Sequence, residues 1–112
     1  MFKIVQTPTY TWPVTVELPT DGGKTEKATF DAEFKRLTQS RVEEIRQAVE
    51  RGEMKDSDLV RESLVGWAGV VDADGDVPYS ESARDQLLDI PTVSAAIILA
   101  LLGSLSGARR KN

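Results

Sequence analysis

The sequence predicts an α+β domain: an N-terminal β-hairpin over about residues 12–37, followed by a bundle of three to four helices. Three observations carry this. Apolar residues alternate with polar ones on both sides of an Asp-Gly-Gly turn, the period of half-buried strands. From Ser40 onward the period lengthens to that of helices and is punctuated by capping residues. A run from Val93 to Leu105 is apolar nearly all round.

In the first strand, Trp12, Val14, Val16 and Leu18 fall on one face, and Thr15 and Glu17 on the other. Pro13 offers no N–H, so the strand is expected at a sheet edge or with its proline facing solvent. Asp21-Gly22-Gly23 supplies the positive φ that a hairpin connection needs. In the second strand Ala28, Phe30, Ala32 and Phe34 point inward, and Thr29, Asp31, Glu33 and Lys35 outward. Two strands alone are marginal in water, so their aromatic face must pack on helices or a partner sheet.

Ser40-Arg41-Val42-Glu43 fits a capping box, Val42, Ile45, Ala48 and Val49 form an apolar stripe, and Gly52 ends this helix. Asp56 or Ser57 caps a second helix, whose buried face carries Val60, Leu64, Trp67 and Val71. Gly66 and Gly69 weaken its end by about 1 kcal/mol each relative to Ala. Ser80 opens a third helix with Ala83, Leu87 and Leu88, broken at Ile90-Pro91 because the residue before proline disfavours helical backbone. The last helix starts near Pro91. Val93, Ala96, Ile97, Ala100, Leu101 and Leu105 fill the stripe that joins a core, while Ile98, Leu99 and Leu102 point elsewhere.

A chain of 112 residues has room for one small core. Residues 1–108 are expected to form a single domain, and 109–112, Arg-Arg-Lys-Asn, a basic disordered tail. There is no Cys and no His, which removes disulfides, thiolate chemistry, the commonest general base and the commonest metal ligand. No catalytic site and no cofactor are therefore expected, and the chain is not read as an enzyme. The net charge of −4 argues against nucleic acid as a partner. Between Asp56 and Asp89 nine acids face two bases, a solvated acidic surface or one that attracts basic partner segments. Asp72, Asp74 and Asp76 resemble the start of a calcium loop, but Gly75 is fourth instead of sixth and Ala83 stands where a bidentate Glu belongs. No metal is expected, and the segment reads as an acidic turn. No apolar run reaches the roughly 20 residues that span a bilayer, and the N-terminus has no signal-peptide pattern. No membrane association is expected.

Several short motifs, in order and spacing, resemble the tail assembly chaperones of long-tailed bacteriophages. They are Trp12-Pro13-Val14-Thr15-Val16 with the Asp21-Gly22-Gly23-Lys24 turn, Ala28-Thr29-Phe30, and Glu33-Phe34-Lys35. Val65-Gly66-Trp67, Val70-Val71-Asp72, Val77-Pro78-Tyr79-Ser80, Leu87-Leu88 before Pro91, and Lys111-Asn112 complete the set. The resemblance implies a non-enzymatic protein that binds the tape measure protein, keeps it soluble and helps recruit tail tube subunits during virion morphogenesis. It would act in the host cytoplasm and be absent from the mature virion. Ile97, Ile98, Leu101, Leu102 and Leu105 are the candidate partner-binding residues, because the last helix has more apolar surface than one seam requires. Partial exposure of that helix, and self-association into a homo-oligomer through it, are the expectation. Two alternatives remain: a phage structural or adaptor protein for tail completion or head–tail joining, and a small acidic regulatory module that binds a basic protein.

Overall fold

The computed structural model describes residues 1–106. It is a mixed α+β fold with antiparallel strands at the N-terminus and four helices. Strand β1 (Thr9–Thr20) and strand β2 (Lys24–Lys35) pair antiparallel, with Val14 opposite Phe30 and Thr20 opposite Lys24. The turn between them is a single 3₁₀ turn, Asp21–Gly23, in which Gly22 (φ 78°) and Gly23 (φ 75°) take left-handed backbone that side chains disfavour. The alternation read from the sequence holds. Val14, Val16, Phe30, Ala32 and Phe34 are buried, and Trp12 and Leu18 pack against them. Ala28, beyond the covered part of the sheet, is exposed.

Helix α1 (Gln39–Glu50) begins two residues earlier than the predicted capping box. Thr38 is the cap, its hydroxyl accepting the Arg41 N–H at 3.1 Å, and Ser40 lies inside the first turn. Leu37 packs against the core, so the chain must turn immediately after it, at Thr38. Glu43, the proposed return partner of Ser40, instead takes the Arg46 guanidinium at 3.0 Å. Thr38→Ala is therefore expected to cost about 1 kcal/mol, and Ser40→Ala less than about 0.5 kcal/mol, as read by urea unfolding. Gly52 (φ 71°) closes the helix as expected: its N–H reaches the Val49 carbonyl at 3.1 Å and Glu53 N–H reaches Ala48 at 2.8 Å.

Helix α2 (Asp56–Ser63) starts after Lys55, whose N–H is held by the Asp58 carboxylate at 2.9 Å, so Asp56 and Ser57 are in the first turn. It stops at Ser63. Leu64–Ala68 is strand β3, which pairs antiparallel with β2, and the sheet order is β1-β2-β3. This corrects the single helix expected over Val60, Leu64, Trp67 and Val71. Gly66 and Gly69 make the segment a poor helix, and as a strand it pairs the backbone groups on the outer edge of β2. Gly66 fits because the Glu33 side chain fills the space a Cβ would take. Val71–Asp72 (β4) and Gly75–Asp76 (β5) form a minimal second hairpin.

Ser80 caps helix α3 (Glu81–Leu88), accepting the Ala83 N–H at 3.0 Å, as the sequence indicated. Helix α4 (Val93–Ser106) follows the Ile90-Pro91 break. The core joins one face of the sheet to Ile45, Leu59, Val60, Val93, Ile97, Ala100 and Leu101. Helices α2 and α3 both pack on α4. Arg41 ties α1 to α2 through two bonds to the Glu62 carboxylate, at 2.7 and 2.6 Å, which hold that carboxyl below its usual range. The expected basic tail at 109–112 lies outside the described residues.

Candidate partner-binding surface

Helix α4 carries no charged residue in its 14 positions. It lies along β1 and is fastened at both ends. At its start the Thr92 hydroxyl donates to the Glu17 carbonyl at 3.2 Å. At its end Tyr10 donates its phenolic proton to Ser104 Oγ at 2.7 Å, since the Ser104 hydroxyl itself donates to the Leu101 carbonyl. The helix start thus sits by residue 17 and its end by residue 10, so α4 runs antiparallel to β1. Between these ties the helix rises about 18 Å, alongside about 23 Å of strand.

This fastening fixes which side of α4 is covered. Val93, Ile97, Ala100 and Leu101 face the core and are buried, and Ile98 is half-buried against it. On the far side Leu99 is 71% exposed, Leu102 53% and Leu105 39%. With exposed Ala95 they stand at i, i+4, i+7 and i+10, one continuous stripe along a helix. Of the five residues selected from the sequence, Leu102 and Leu105 are therefore on the outer stripe and Ile98 flanks it. Ile97 and Leu101 are core, at 0% and 1% exposure, and cannot touch a partner while the domain is folded. Leu99, the most exposed large hydrophobic of the helix at 71%, was outside that selection, although the helical spacing had already set it, with Leu102, off the core stripe; Leu105, set within that stripe, is exposed instead.

Beside the stripe runs an open groove of about 1410 Å³, walled by Trp12 and Pro13 of β1 and by Ala95, Ala96 and Leu99 of α4. One wall is the free edge of the sheet, but that edge is unsuited to receive a strand. The Pro8 carbonyl points to β2, where Arg36 N–H reaches it at 2.9 Å, while the Glu17 carbonyl points outward to Thr92. Backbone direction alternates along a strand, so Pro13 and Pro19 share the outward positions with Glu17. Two of those positions thus lack an N–H, and a third has its carbonyl occupied. The face is better suited to side-chain packing than to strand addition.

The acidic hairpin lies elsewhere. Asp72, Asp74 and Asp76 are exposed, and the Asp72 carboxylate accepts the Asp74 N–H at 2.8 Å, an Asx turn. Among the described residues no cluster of three or more carboxylates is placed to hold a metal ion. No single helix among them is long and apolar enough to cross a membrane. Trp67 is half-buried and fastens the hairpin to the sheet: its indole N–H donates to the Val77 carbonyl at 2.7 Å, and Tyr79 meets its ring edge-on at 5.0 Å. Comparison with protein-family models, with curated proteins and with solved structures finds no match.

Proposed function

We propose that this chain is a tail assembly chaperone of a long-tailed phage and that its client is the tape measure protein. In this reading α2, α3 and α4 are the helical bundle that presents the client surface. The outer stripe of α4, with the groove beside Trp12, accepts an apolar face of the largely helical client. It keeps that face from aggregating until tail tube subunits replace the chaperone. The observation that carries the reading is the uncharged α4 with a second apolar stripe, Leu99, Leu102 and Leu105, left uncovered. Monomeric domains seldom leave such a contiguous apolar patch without a partner for it. The acidic stretch from Asp56 to Asp89 keeps the complex soluble and favours basic flanks on the client. Co-expression tests this. The soluble fraction of the tape measure protein should rise when this chain is present, and an unchanged fraction would remove the reading.

A further inference from the structure

We propose that two copies of this chain pair through α4, antiparallel about a two-fold axis at Leu99, so that each copy covers the other's apolar stripe. Self-pairing and client binding then exclude each other. That exclusion rests on the function proposed above, whereas the pairing rests on the shape and charge of the face alone.

The exposed leucines Leu99 and Leu102 form a ridge, and Leu99 borders the groove between α4 and β1. The α4 wall of that groove is otherwise small: Ala95, Ala96, Ala100 and Ser104. A ridge and a groove side by side on one face are what an isologous contact needs, since each copy presents both halves. A two-fold axis at Leu99 sets residues equally far before and after it opposite each other. Leu102 lies about 60° to one side of Leu99 on the helix and Ala96 about 60° to the other. The axis reverses sides as well as direction, so Leu102 of one copy lands on Ala96 of the other, at its groove. Ala95 likewise lands on Gly103, where the space a Cβ would take is open. Large meets small at each step, as interdigitating helices require. An axis at Leu102 would instead set Leu99 against Leu105.

Charge selects the same face. Two-fold symmetry brings like charges together, and a chain of net charge −4 repels its own copies wherever acids meet acids. Helix α4 contributes no charge, and the two charged residues lining the groove, Glu17 and Lys27, pair with each other at 4.0 Å. A second copy therefore docks here without like-charge repulsion. The contact is about 21 Å long and one helix, about 10 Å, wide, below the roughly 800 Å² per partner of standard interfaces. The dimer accordingly exchanges, and unfolding of dilute protein reads the monomer.

The chain has no cysteine, so an introduced thiol reports the geometry directly. Facing Cα atoms at the axis stand about 5 Å apart, the span of a disulfide. The two copies of residue 105 are about 18 Å apart along the helices. Under mild oxidation Leu99→Cys should therefore give covalent dimers and Leu105→Cys should not. In sedimentation velocity at concentrations up to about 1 mM, the wild type should pass from monomer to dimer and stop there. Leu99→Gln/Leu102→Gln should stay monomeric with an unchanged far-ultraviolet spectrum. A wild type monomeric throughout, a Gln variant that dimerises, or Leu105→Cys cross-linking as readily as Leu99→Cys would each overturn the pairing. None of these measurements uses the client, so their failure leaves the proposed function standing. The disulfide-locked Leu99→Cys dimer should fail to keep diluted tape measure protein in solution, and the reduced chain should succeed. Equal success would overturn the exclusion, and failure of both would count against the function while leaving the dimer in place.

Discussion

Trp67→Ala should destabilise the domain by about 3–5 kcal/mol, enough to leave it marginal when whole domains hold about 5–15 kcal/mol. The ring is half-buried, so the transfer contribution alone falls at the low end of that range. Two further losses accompany it. The part-buried Val77 carbonyl loses the indole N–H at 2.7 Å, and a hydrogen bond of this kind contributes about 0.5–1.5 kcal/mol net. Tyr79, 5.0 Å from the indole and itself donating to the Leu64 carbonyl at 3.0 Å, loses the surface that orients it. Phe30, edge-on at 6.4 Å, loses a neighbour on the sheet side. Trp67→Phe retains the ring contacts and removes only the donor, so it should cost clearly less. Urea unfolding of the two variants checks the order. A loss below about 1 kcal/mol for Trp67→Ala would show that the indole is a surface residue of the fold.

The second large effect separates the two sides of α4. Ile97→Ala should cost about 2–5 kcal/mol, because the side chain is 0% exposed between the sheet and α2 and leaves a cavity behind. Leu101→Ala should behave alike. Leu99→Gln and Leu102→Gln, one or two positions away, should change stability by no more than about 0.5 kcal/mol each, since both side chains are more than half exposed. Thermal unfolding of the four single variants reads this contrast directly. Equal losses on both sides would mean that α4 is enclosed and that its outer stripe is no surface at all.

These two predictions also mark what could and could not be read in the sequence. The β-hairpin was legible because its signal is local: period-two alternation on either side of Asp21-Gly22-Gly23, with Pro13 placing β1 at an edge. Gly52 and Ser80 were legible for the same reason, since a cap is satisfied by residues within one turn. Strand β3 was not. Val60, Leu64, Trp67 and Val71 happen to recur at helical spacing, yet Val60 reaches the core from a helix and Leu64 from a strand. What overrides that spacing is the open edge of β2, a tertiary demand with no local signature. The covered side of α4 was largely legible: Val93, Ile97, Ala100 and Leu101, read into the core stripe, are buried, and Leu99 and Leu102, read off it, are exposed, whereas Leu105, read into the stripe, is exposed. The long-range ties of Thr92 to Glu17 and Tyr10 to Ser104, 75 and 94 residues apart in sequence, had no local signature. The selection of partner-binding residues nonetheless took Ile97 and Leu101 from the core stripe and left out Leu99.

The most direct measurement is the soluble fraction of the tape measure protein when co-expressed with the wild type or with Leu99→Gln/Leu102→Gln. The variant keeps the core residues Val93, Ile97, Ala100 and Leu101 untouched and loses only the outer stripe. The wild type should hold the client in solution and co-purify with it, and the folded variant should leave it in the pellet. A folded variant that solubilises the client as well as the wild type does would contradict the assignment of this surface.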